Sequence, residues 1–125
     1  MTPLIPTVRE GEKLFDLSLI EKFCRGNEVT REKMIRSFTS SIPLALVELH
    51  QAYLKKDFSK LQTTAHRIKP TLGFYAIVKI EKEIQRIESL AKECRSGEEL
   101  EKALEKTSWV LQQVVSQMQD TYLIK

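Results

Sequence analysis

Glycine and proline are scarce in this chain, at 4 residues each, and cysteine and histidine scarcer still, at 2 each. So few glycines leave no room for a glycine-rich phosphate loop, and no such motif occurs. The histidines, His50 and His66, lie far apart; neither has a histidine partner one turn away, and no Glu-x-x-His pair is present. This excludes the usual helix-borne metal sites and the histidine-dependent nucleophilic triads. Cys24 and Cys94, widely separated, read as reduced, semi-buried thiols rather than a disulfide framework. No apolar run approaches the ~18 residues of a membrane span, and MTPLIPTVREGEK lacks the basic-then-apolar pattern of a signal peptide. The expected location is cytoplasmic. A net charge of +3 is mild, and the lysines are interleaved with glutamates, so no nucleic-acid footprint stands out. The many glutamates read as solvated charge on helix surfaces.

What remains is Leu, Ile, Val, Glu and Lys, with 30% of residues charged, the composition of an all-helical domain. The first residues, with Pro3, Pro6 and Gly11, read as a flexible arm or linker remnant over 1–13, followed by one helical domain over 14–125. LFDLSLIEKFCRGN predicts a short helix capped by Asp16, with a stop at Gly26. A long helix is expected from about Thr30 to Lys55, carrying Met34, Ile35, Phe38, Ile42, Leu46, Leu49 and Tyr53 at steps of three and four. Pro43 should kink it without ending it. Asp57 caps a third helix with Phe58, Leu61, Ala65, Ile68 and Leu72 on one face, and a bend is expected between Gly73 and Ala76. Ile77, Ile80, Ile84, Ile87, Ala91 and Cys94 then form the seam of a fourth helix, and a fifth runs from about Glu98 to Thr121. The expected fold is an all-α, up-and-down antiparallel four-helix bundle with a short additional N-terminal helix.

The stretch TTAHRIKPTLG, from Thr63 to Gly73, holds the most informative residue. At 100° per residue, His66 points about 125° away from the stripe of Leu61, Ala65, Ile68 and Leu72, towards solvent. Gln62, Lys69, Pro70 and Gly73 share its sector, so an open imidazole stands beside a cation with compact residues where long side chains would crowd. A neutral imidazole is a competent nucleophile towards an activated phosphoryl group without any triad. The Lys69 ammonium is placed to stabilise phosphoryl oxygens during transfer. Such a protein is a carrier, inactive alone. His50, with no neighbouring motif, reads as structural.

At these residues the chain resembles the histidine-containing phosphotransfer (HPt) domains, whose usual signature is Ala-His-x-Leu-Lys-Gly-Ser. Ala65, His66, Ile68 and Lys69 match it, and Thr71 replaces the serine. FDLSLIEKFCRGN looks like the family's leading helix and loop, and KKDFSKLQTTAH resembles its turn into the active helix; the likeness covers residues 14–121. The resemblance implies a five-helix domain that shuttles a phosphoryl group between receiver-domain aspartates in a multistep phosphorelay. His66 would carry the phosphoryl group on its ε nitrogen, and Lys69 would contact it. No cofactor or metal is implied in this chain, since the receiver brings its own divalent metal. Partners would be receiver domains of response regulators or hybrid histidine kinases, with no nucleic acid or membrane contact, and the chain is expected to be a monomer. Many such domains are modules of hybrid sensor kinases and have no kinase activity of their own. The family usually has glycine where Pro70 stands and a second glycine at Ala76; Gly73 is expected to supply the lost clearance, and Pro70 to tilt His66 outward by freeing its carbonyl. Ile68, Phe74 and Ile77 are candidate docking residues around the histidine. The rival reading is a helical interaction module without phosphate chemistry; a bundle dimerising through the Ile77–Cys94 seam is a third.

Overall fold

A computed structural model describes residues 12–122. It is built of five helices, α1 (Ser18–Cys24), α2 (Glu28–Leu54), α3 (Phe58–Phe74), α4 (Glu81–Lys92) and α5 (Glu98–Tyr122), with no strand among the described residues. Helix α2 packs on α3 and α5, α3 on α4, and α4 on α5, so the four longer helices form a closed cycle of neighbours, while α1 packs on α2. Their apolar stripes meet in one core. Ile84 and Ile87 of α4, Val110, Leu111 and Val114 of α5, and Ala65 of α3 are all fully buried. Each buried Ile, Leu or Val contributes about 1.5–3 kcal/mol. No helix among the described residues is long and apolar enough to cross a membrane. The expected arm over 1–13 lies outside the described residues except for Glu12 and Lys13. At that point Gln117 of α5 clamps the entering chain, donating to the Glu12 carbonyl at 2.6 Å and accepting from the Leu14 N–H at 2.9 Å.

The helix starts follow side-chain caps. Asn27 accepts from the Thr30 N–H at 3.0 Å to open α2, and Asp57 accepts from the Lys60 N–H at 3.0 Å to open α3. Asp16 is displaced from the expected cap position. Leu17 is the cap residue of α1, and Asp16 instead accepts from the Ser18 N–H and hydroxyl just ahead of the helix. Both α2 and α3 continue through their prolines, Pro43 and Pro70, which sit on exposed faces. A proline there leaves the carbonyl four residues earlier without its helical bond, at Thr39 and at His66.

Three helix ends share one geometry, in which a Schellman motif closes without glycine. At the end of α3 the Ile77 N–H bonds the Leu72 carbonyl at 2.8 Å and the Ala76 N–H bonds the Gly73 carbonyl at 3.2 Å. The same paired bonds close α2 at Lys56 and Asp57, and α4 at Cys94 and Arg95. The left-handed residues are Lys56 (φ 54), Ala76 (φ 52) and Cys94 (φ 54), where a Cβ is disfavoured. Replacing Ala76 with glycine is therefore expected to stabilise the fold by about 0.5–1 kcal/mol, the gain in left-handed backbone less the added freedom of the unfolded chain. A rise in the urea midpoint at unchanged slope would show it.

This geometry corrects the fourth helix. Ile77 and Ile80 are buried but lie in the turn between α3 and α4, which begins only at Glu81. Cys94 is exposed beyond the end of α4 rather than on its seam, whereas Cys24 is buried; both are free thiols.

Candidate functional site

Helix α3 carries Leu61, Thr64, Ala65, Ile68 and Leu72 into the core, which leaves His66 and Lys69 on its outer face. The His66 side chain is 73% exposed. Across the groove, α4 turns Ile84, Ile87 and Ala91 inward and sets Glu88 on the flank of that seam, only 18% exposed. His66 and Lys69, one turn apart on α3, converge on this one carboxylate. His66 Nδ1 lies 2.8 Å from Glu88 Oε2, and Lys69 Nζ donates to Glu88 Oε1 at 3.1 Å.

The charge state of Glu88 bears on which ring nitrogen carries the hydrogen. Burial raises the Glu88 carboxyl, but the hydrogen bonds from His66 and Lys69 outweigh it, and the net shift is below the ordinary carboxylate value. An ionised carboxylate only accepts hydrogen bonds, so Nδ1 carries the hydrogen and donates it to Glu88. In the neutral ring Nε2 then holds a free lone pair. A neutral imidazole oriented by a carboxylate, with its other nitrogen open, is a nucleophile, and the carboxylate offsets positive charge that develops on the ring.

Beside this triplet lies a depression of about 360 Å³ lined by Gln62, Lys69, Gln85, Glu88, Ser89 and Lys92. Two ammonium groups and several hydrogen-bond donors suit the oxygens of a phosphoryl group. On the other side of His66, Arg67 donates to Glu48 of α2 at 2.6 Å, and that bond holds the Glu48 carboxyl below its ordinary range. The histidine is thus flanked by ties from α3 to both α4 and α2. Among the described residues no group of three or more His, Cys, Asp or Glu side chains is placed to hold a metal ion.

Of the residues singled out by sequence, Lys69 and Gln62 lie at the depression beside His66, and Pro70 and Gly73 are exposed on the same helix. A Cβ built on Gly73 meets nothing within 4 Å, so the space above it is open. Gly73→Ala is expected to keep the fold and any transfer activity. Gly73→Arg, which fills that space, should slow transfer at least tenfold with helical circular dichroism unchanged.

Two of the docking residues are corrected. Ile68 is 3% exposed and Ile77 is fully buried, because the turn after Phe74 rotates Ile77 into the core. Tyr75 is buried as well; it donates to the Met34 carbonyl at 2.9 Å, and burial, then Cys24, push its phenol up to about 12. Phe74 is half-buried and stacks edge-to-face on Phe23 of α1 at 5.8 Å, and Phe23 is 64% exposed. His50 is exposed on α2.

Glu88, Gln85, Ser89 and Lys92 were not anticipated. Their only signal is position, since α4 residues flanking the Ile84–Ile87–Ala91 stripe must face a neighbouring helix. In comparisons with protein-family models, with curated proteins and with solved structures, nothing matches this chain.

Proposed function

We propose that this chain is a phosphoryl carrier, with His66 as the acceptor. In particular, it is a histidine phosphotransfer domain of a multistep phosphorelay, folded as an antiparallel up-and-down four-helix bundle and working in the cytoplasm. The convergence of His66 and Lys69 on Glu88 is the observation that carries this reading. The motif around His66 and the closed cycle of neighbouring helices support it further.

In the step proposed, His66 Nε2 attacks the phosphorus of an aspartyl phosphate on a receiver domain. The N–P bond forms, the P–O bond to the aspartate breaks, and its electron pair returns to the aspartate carboxylate. The ring becomes an N-phosphorylated imidazolium whose Nδ1–H stays on Glu88, which offsets its charge. Lys69 exchanges Glu88 for a phosphoryl oxygen, and attack by a second receiver's aspartate reverses the sequence. Phe23 and Phe74 offer an exposed apolar contact roughly 12 Å along the helix from His66, a suitable rim for a docked receiver.

The test is incubation with phosphorylated receiver domains. The chain should gain the mass of one phosphoryl group, in a form stable to base and lost in acid. No gain across a panel of receivers that nevertheless bind would favour a docking module without phosphate chemistry.

A further inference from the structure

A second surface lies away from His66, where α2 and α5 pack together. Between them runs a groove of about 810 Å³, floored by Leu46, Leu104 and Trp109, with Tyr53 in its wall. It is lined from Pro43 to Tyr53 along α2 and from Glu101 to Gln112 along α5, a length of about 15 Å, or some three helical turns. Val47, on the α2 rim, is 53% exposed, and neighbouring Leu44 is 66% exposed, so apolar surface continues outward from the floor.

The α5 rim has a distinct charge. Acidic residues around it are matched: Glu98 by Lys102, Glu99 by Arg86, and Glu83 by Lys106. Glu101 and Glu105, one turn apart on the groove edge, have no cationic partner among the described residues. Burial first, then the charge of Glu101 and its hydrogen bond with the Tyr53 hydroxyl, then the charge of Glu105, push the Tyr53 phenol upward, so both carboxylates act on the groove wall. In a chain of net charge +3, two glutamates without a cationic partner beside an apolar trough ask for a cationic, apolar occupant.

We propose that the α2–α5 groove docks a basic amphipathic helix of a partner protein. Its apolar face would lie on Leu46, Leu104 and Trp109, and lysine or arginine side chains would meet Glu101 and Glu105. A helix laid between two others repeats the packing of the bundle itself, and three turns match the length of the trough. The site is separate from the α3–α4 face, so it does not depend on the phosphotransfer reading, and its occupant would leave His66 free.

Trp109 is the only tryptophan, so its fluorescence reports the groove directly. The full chain would be titrated with a peptide of about 15 residues, with leucines at helical spacing flanked by lysines. Controls are the same composition in scrambled order and a leucine–glutamate counterpart. The ordered lysine peptide should saturate and shift the Trp109 emission to the blue. The double variant Glu101→Gln, Glu105→Gln, both at exposed positions, should weaken it roughly tenfold at low salt, and the difference should shrink as salt rises. Equal binding of scrambled or glutamate peptides, or no loss in the double variant, would overturn the proposal. So would a Trp109 shift that grows with protein concentration alone alongside a sedimenting dimer, which would make a second copy the occupant.

Discussion

His66→Gln should abolish phosphoryl acceptance, lowering transfer from a phosphorylated receiver by on the order of a thousandfold or more, while His50→Gln transfers like the native chain. The size follows from the role, because removing a nucleophile removes the bond-forming atom, and nothing nearby replaces it. His66 is 73% exposed and its ring makes one hydrogen bond among the described residues, to Glu88, so the glutamine variant should fold as the native chain does. His50 is the internal control, an exposed histidine on α2 for which no ion pair or side-chain hydrogen bond is found among the described residues. Single-turnover transfer, read as the rate of mass gain, separates the two.

Glu88→Gln should slow transfer by roughly 10- to 100-fold, the usual effect of removing the partner that orients a reactive imidazole. An amide still fills the space and offers one acceptor, but it no longer fixes which ring nitrogen carries the hydrogen, nor offsets the charge of the phosphorylated ring. The rate of the transfer step should fall while the receiver's apparent affinity holds, a split that a general loss of structure would not give. The same substitution has a stability signature. The Glu88 carboxyl lies below its ordinary value in the folded chain, so the unfolded chain takes up a proton first as pH falls. Its contribution is fully present above the unfolded value of about 4.3 and is lost as pH drops through the lower, folded value. Urea unfolding should therefore show a gap between native and Glu88→Gln chains at neutral pH that closes in solution acidic enough to protonate Glu88.

Much of the molecule was legible because helix periodicity and caps are local. Asp57 opens α3, the stripe of Leu61, Ala65, Ile68 and Leu72 faces the core, and angular position alone set His66 towards solvent. The errors arose where local rules ran out. Ile77 and Ile80 fit the seam of α4 by spacing, but apolar periodicity does not separate a helix from the buried turn that leads into it. The stops at Lys56, Ala76 and Cys94 lack the glycine that usually marks a left-handed residue, and only their paired backbone bonds identify them. Ile68, a docking candidate by its place beside His66, is 3% exposed because it lies on the packed face of α3.

Glu88 was the costliest omission. On a helix rich in glutamate and lysine it looked like one more solvated charge. Its meeting with His66, 22 positions earlier in the chain, depends on how α4 is rotated against α3, which no single segment encodes. Half of the site was therefore readable, the half that one helix carries. The partner that fixes the tautomer belongs to tertiary structure.

The most direct measurement is phosphorus–nitrogen NMR on the ¹⁵N-labelled chain after transfer from a phosphorylated receiver domain. The prediction is one phosphoryl group, coupled to Nε2 of His66, with Nδ1 still bearing its hydrogen. A phosphoryl group on another residue, on Nδ1, or on no residue at all while the receiver binds would contradict it.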